Sequence, residues 1–144
     1  MSRPSPPAQR LPVDAQQLIA AAVRAKQKAL APYSKFHVGA AIVTADGKLF
    51  DGCNIESSSY GLTCCAERVA IFKALSEGAR DFVSMAVAAD TDEFTTPCGA
   101  CRQVLWDYAR DLHIILVNLA GATRELELKD LLPEAFDEQM LGHA

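Results

Sequence analysis

No part of this 144-residue chain approaches the ~20 consecutive apolar residues that a membrane span requires, although half of its residues are hydrophobic. The N-terminal stretch also lacks the apolar core of a secretion signal, which predicts a cytoplasmic protein. Basic residues are few. Fourteen Lys and Arg stand against 18 Asp and Glu, the formal charge is −4, and no basic cluster forms. Proteins that grip RNA or single-stranded DNA carry a basic face or stripe. Its absence points away from a polynucleotide and toward a small neutral ligand. Histidine is scarce too, and none of His37, His113 and His143 has ligand-like spacing. No internal repeat or second domain is visible. One domain of this length buries roughly 68–70% of its unfolded surface, enough for a single core.

What the chain does have is cysteine: Cys53, Cys64, Cys65, Cys98 and Cys101. An odd count without a secretion signal predicts reduced thiols. Cys98 and Cys101 form a C-x-x-C, a spacing that brings two thiolates to one metal ion. By itself that spacing equally fits a redox pair or half of a structural zinc knuckle. Cys65 offers a third sulfur, and Glu67 stands two residues beyond it. Three protein ligands leave a tetrahedral zinc one open position, the layout of a catalytic site. Thr63 and Pro97 suit the starts of helices at both pieces, where the helix dipole favours thiolates. Cys53 and Cys64 are expected to be small buried apolar residues.

Residues 1 to about 12, with Pro4, Pro6, Pro7 and Pro12, read as a flexible tail ahead of a single domain over residues 13–144. Asp14 caps a helix running to about Leu30, with Leu18, Ile19, Ala22 and Val23 at helical spacing. Val38 to Thr44 and Lys48 to Cys53 are strands joined by the Asp46-Gly47 turn. A helix from Cys65 to Glu77, with Val69, Ile71, Phe72 and Leu75 apolar, stops at Gly78. Phe82 to Ala89 and His113 to Val117 are buried strands flanking a helix from Cys98 to Tyr108. A last strand over Thr123 to Leu128 returns antiparallel, and a short helix covers Asp130 to Phe136. The expected fold is a three-layer α/β/α domain around a five-stranded mixed sheet, its crossover helices enforcing parallel pairing. Ligands of such sheets sit at the carboxyl ends of parallel strands, where both cysteine pieces fall.

The segments Pro32 to Ala41, Gly52 to Glu56, Cys65 to Arg68, Pro97 to Gln103 and Asp130 to Phe136 together resemble the cytidine deaminase family, in the family's order. Zinc deaminases carry an H-x-E…P-C-x-x-C signature in which cysteine can replace the histidine. This chain matches the all-cysteine form. Trp106-Asp107-Tyr108 departs from the glutamate and phenylalanine that members often carry there.

The resemblance implies one zinc on Cys65, Cys98 and Cys101, and hydrolytic deamination of cytidine and 2′-deoxycytidine in pyrimidine salvage. Glu67 would move protons from water to ring N3 and then to the departing amine. Alone, it would read as an ordinary first-turn glutamate. Asn54 and Glu56 would hold the ribose, Phe36 would stack on the base, and the backbone at Ala66 would read its edge. Phe136 would reach a neighbouring subunit's site in a homotetramer, with Tyr33 and Tyr60 near subunit contacts. Three thiolates and Zn²⁺ sum to −1. Arg68, one helical turn after Cys65, is placed to draw off part of that charge. Two other readings share the metal residues: a deaminase of a nucleoside-type antibiotic, and a zinc-binding interaction module without activity. Asn54 with Glu56 argues against the first, and Glu67 against the second.

Overall fold

The computed structural model describes residues 14–142. The proposed tail over residues 1–12 and His143 lie outside the described residues. Nine elements follow in order: α1 (Ala15–Lys26), β1 (Val38–Thr44), β2 (Leu49–Cys53), α2 (Ala66–Ser76), β3 (Phe82–Ala89), α3 (Gly99–Tyr108), β4 (His113–Val117), β5 (Thr123–Glu127) and α4 (Leu128–Leu131). The strands form one mixed sheet in the order β2-β1-β3-β4-β5. Only β3 and β4 are parallel neighbours; the other pairs are antiparallel. Thus only the α3 crossover produces the expected parallel pair. The α2 crossover steps over β1, which lies between β2 and β3.

One sheet face is covered by α1, whose Leu18, Ala21 and Ala22 pack on Ala41, Val43, Ala86 and Ile115. The other is covered by α2 and α3 over Ile42, Met85, Val87, Ile114 and Leu116. β1 and most of β3 are buried on both faces, so they read as continuous apolar runs. Two glycines set the layer spacing. A Cβ on Gly39 would lie 2.1 Å from the Ala22 carbonyl oxygen, and one on Gly52 would lie 2.6 Å from the Ala70 amide nitrogen. Any side chain there would push α1 or α2 off the sheet.

The close approach at Gly52 explains a correction to α2. Its inward residues are Ala66, Glu67, Ala70, Ile71 and Ala74, whereas Phe72 is exposed. Alanines stand where the helix backbone comes nearest the sheet, at Ala66 and Ala70 beside Gly52. α1 ends at Lys26 and not near Leu30. Leu30 instead donates its amide to Asn54 and accepts from the Glu56 amide, a bridge that holds it extended. Thr63 does not cap α2. Its hydroxyl accepts from the Ser57 amide, and Cys65 occupies the cap position. The last helix covers Leu128–Leu131 rather than Asp130 to Phe136. Leu132 precedes Pro133, which disfavours helical backbone at Leu132 and leaves it at φ −143°.

Candidate metal centre and active site

Cys65 and Cys98 occupy equivalent places, the cap positions of α2 and α3, just beyond the carboxyl ends of β2 and β3. Neither side chain caps its helix, so both sulfurs are free to face each other. Cys101 is buried in the first turn of α3. The Cys65–Cys98 sulfur separation is 3.7 Å and the Cys98–Cys101 separation is 3.5 Å. All three sulfurs lie within 4.8 Å of one another. A tetrahedron with Zn–S bonds of ~2.3 Å has edges of ~3.8 Å. The donor set and its spacing therefore fit zinc with one vertex left for water or substrate. Cys65 has a lowered thiol pKa. A hydrogen bond from Cys101, with Arg68 and Cys98 assisting against burial, brings it down to about 5. Cys101 is driven the other way, because it donates to Cys65 in a buried place.

The neighbouring cysteines differ sharply. Cys64 spends its backbone on Ile55, donating and accepting at 2.9 Å, and partial burial raises its thiol pKa. Burial also raises Cys53. Both are half-buried rather than fully buried, and neither joins the sulfur cluster.

Glu67 is 5% exposed. Burial pushes its carboxyl up to about 7, and the Cys65 thiolate adds to the effect, while its own backbone N–H and Arg68 oppose it. A carboxyl so poised can take and return a proton near neutral pH. Arg68 Nη2 lies 3.5 Å from both the Cys65 sulfur and the Thr63 carbonyl oxygen. The Cys65 hydrogen bond holds the guanidinium charged against the effect of burial. Arg68 Nε is buried with no hydrogen-bond partner among the described residues.

A cavity of about 280 Å³ opens beside these groups, and Phe36, Asn54, Glu56, Cys65, Ala66, Glu67 and Cys98 all reach its wall. Of the expected site residues, three are absent from that wall: Cys101 completes the sulfur cluster beside it, and two stand elsewhere. Arg68 lies behind the sulfurs, and Phe136 lines a different cavity with Gln103 and Tyr108. Asn54 is already committed to protein partners. Its Oδ1 accepts from Val38 N at 2.9 Å, and its Nδ2 donates to Phe36 O at 2.7 Å. Glu56 accepts from the amides of Tyr33 and Ser34 at 2.9 and 3.1 Å, and from the Ser34 hydroxyl. The Ser34 hydroxyl bond leads these contacts in holding Glu56 below the usual carboxylate range. Together they clamp the Phe36 segment to the cavity rim. Sequence reasoning missed Ser34 and Thr96 on the wall and Arg102 behind it. Arg102 donates to Pro97 O at 2.7 Å, Thr96 Oγ1 at 3.1 Å and Leu131 O at 2.9 Å, fixing the loop that presents Cys98. Only its place directly after the C-x-x-C signalled it.

The family model described as the cytidine and deoxycytidylate deaminase zinc-binding region matches residues 12–116. The chain is 47% identical over 133 residues to a cytidine deaminase of Sporosarcina psychrophila, covering 92% of this chain and 98% of that one. It is 51% identical over 125 residues to a cytidine deaminase of Halalkalibacterium halodurans, covering 86% and 95%. The crystal structure of a cytidine deaminase from Burkholderia pseudomallei superposes with a TM-score of 0.83 at 50% identity, over 86% of this chain and 100% of that one. A sulfur triangle shaped for zinc, met by agreement over nearly the whole length of these proteins, places the chain in the family of zinc-dependent cytidine and deoxycytidylate deaminases.

Proposed function

We propose that this protein hydrolyses cytidine and 2′-deoxycytidine to uridine and 2′-deoxyuridine with release of ammonia, in pyrimidine salvage in the cytoplasm. The observation that carries the reading is a buried carboxyl, Glu67, on the cavity wall beside the three-sulfur cluster. Residues 13–144 form the catalytic domain. Cys65, Cys98 and Cys101 hold the zinc. Bound there, zinc acidifies water and supplies a nucleophile at neutral pH. Glu67 accepts a proton from water and passes it to ring N3, then accepts the proton of the hydroxyl formed on C4 and passes it to the amine, which leaves C4 as ammonia. Its raised pKa suits both directions of transfer. Arg68 offsets the surplus thiolate charge. Phe36 lies against the base, the backbone at Ala66 reads the base edge, and Asn54 and Glu56 hold the sugar. Both polar residues are fixed by their own hydrogen bonds, so little rotamer freedom is lost when substrate binds.

The protein works as a homotetramer, with Phe136 closing the site of a neighbouring subunit. Exposed Tyr33, Tyr60, Leu62 and Phe136 offer apolar surface for such contacts. The decisive assay follows loss of cytidine absorbance together with ammonia release, with free cytosine as the competing substrate. Cytosine lacks the sugar and is expected to be the poorer substrate. Equal turnover of the two would remove the roles given to Asn54 and Glu56.

A further inference from the structure

The C-terminal arm combines an exposed apolar side chain with an anchored backbone. Phe136 is 54% exposed, whereas Asp137, the next residue, is 8% exposed. The arm has little structure of its own: one short 3-10 turn, Glu138–Leu141, follows the irregular stretch after α4. Such a segment stays in place only if other elements hold it.

The holding is done by α3 and the turn after it. Gln103 Nε2 donates to the Phe136 carbonyl at 2.8 Å. Trp106 Nε1 donates to Asp137 Oδ2 at 3.3 Å. Arg110 lies 5.3 Å over the Trp106 ring, binds both Glu138 carboxylate oxygens at 2.8 and 2.7 Å, and sits 3.5 Å from Asp137 Oδ2. Asp137 Oδ1 accepts from the Gln139 amide at 3.0 Å. A buried carboxylate is costly unless charge and hydrogen bonds offset it, and here Trp106, Arg110 and Gln139 do so. Upstream, Arg102 holds the Leu131 carbonyl. The backbone is thus held before and after Phe136, and the Phe136 side chain is left about half exposed at the edge of the cavity it shares with Gln103 and Tyr108.

We propose that Trp106 and Arg110 are positioning residues: through Asp137 and Glu138 they fix the direction in which Phe136 leaves this chain. The inference rests on the reading that Phe136 closes a neighbouring subunit's site. A pre-aimed side chain loses less freedom on meeting substrate than a swinging one. Its loss should weaken nucleoside binding and leave the chemistry alone, because the Phe136 ring carries no group that moves a proton.

The test measures kcat and KM for cytidine per zinc-loaded site in Arg110→Gln and in Trp106→Phe, which keeps a ring but removes the indole N–H. Each is expected to raise KM roughly 3- to 10-fold, the size of one ordinary hydrogen bond, with kcat within about twofold. In a Phe136→Ala background neither should raise KM further. If Phe136→Ala raises KM while Arg110→Gln and Trp106→Phe do not, the positioning role is overturned and the reading of Phe136 stands. An unchanged KM in Phe136→Ala overturns both. A fall in kcat at constant KM, or equal KM penalties with and without Phe136, would show that the clamp serves general stability instead. Should Arg110→Gln fail to fold, Trp106→Phe carries the same comparison.

Discussion

The cysteine site and the C-terminal arm solve opposite problems. Around Cys65, Cys98 and Cys101, one chain supplies three sulfurs, a buried carboxyl and a charged guanidinium, and the sheet and two helix starts hold them. Around Phe136, the same chain fixes a backbone and leaves its aromatic ring about half exposed. Chemistry demands fixed distances between a few atoms, which a rigid scaffold provides within one molecule. Closing a site over a substrate requires a surface that can separate again, and a second molecule can supply it.

Substitutions that separate the two regions should rank accordingly. Cys65→Ala removes a sulfur that no neighbour replaces, so metal analysis should find most of the zinc gone and assays no turnover. Cys64→Ala, one residue away, should retain both, because Cys64 contributes a backbone bridge. The reverse result would exchange their roles. Glu67→Gln keeps the volume of the buried side chain but cannot shuttle a proton. Turnover should fall about 10²–10⁴-fold with zinc content unchanged. Arg68→Gln leaves the sulfur charge unopposed, and a loss of roughly 10–100-fold is expected with zinc retained.

The smallest effect lies on the far edge of the sheet, away from both regions. His113 bridges Glu125 and Glu127 at 2.7 Å each. Burial disfavours its charged form, but Glu127 and Glu125 outweigh burial and raise its pKa above 6.5. A raised folded-state pKa means that the stabilisation is complete below about 6.5 and is lost as pH rises through the folded value. The Tm advantage of wild type over His113→Gln should therefore be larger at pH 6 than at pH 8.5. About 2 °C is expected for so exposed a pair. A constant difference across that range would mean that the imidazole charge contributes nothing.

Local spacing made the metal site readable. Cys65, Glu67 and Arg68 form one short piece and Cys98 with Cys101 another, and the geometry of each piece on its helix start is set by the backbone. The 33-residue separation of Cys65 and Cys98 was bridged by the family resemblance. Continuous apolar, β-rich runs and the Asp46-Gly47 turn likewise identified the sheet. What stayed hidden depends on contacts between distant segments. The alanine face of α2 is set by Gly52 on another strand. The early end of α1 is set by Leu30 pairing with Ile55. The commitment of Asn54 to Val38 and Phe36 is invisible in alternation. So is the clamp from Trp106 to Asp137, 31 residues apart.

Mixed subunits test most directly the claim that chemistry belongs to one chain and closure to another. Glu67→Gln and Phe136→Ala chains, co-expressed and purified as mixed assemblies, would place an intact Glu67 beside a neighbour's intact Phe136 in some sites. The expected result is a population of sites with wild-type KM that neither parent possesses. Kinetics equal to the simple sum of the two parents would contradict the division of labour between subunits.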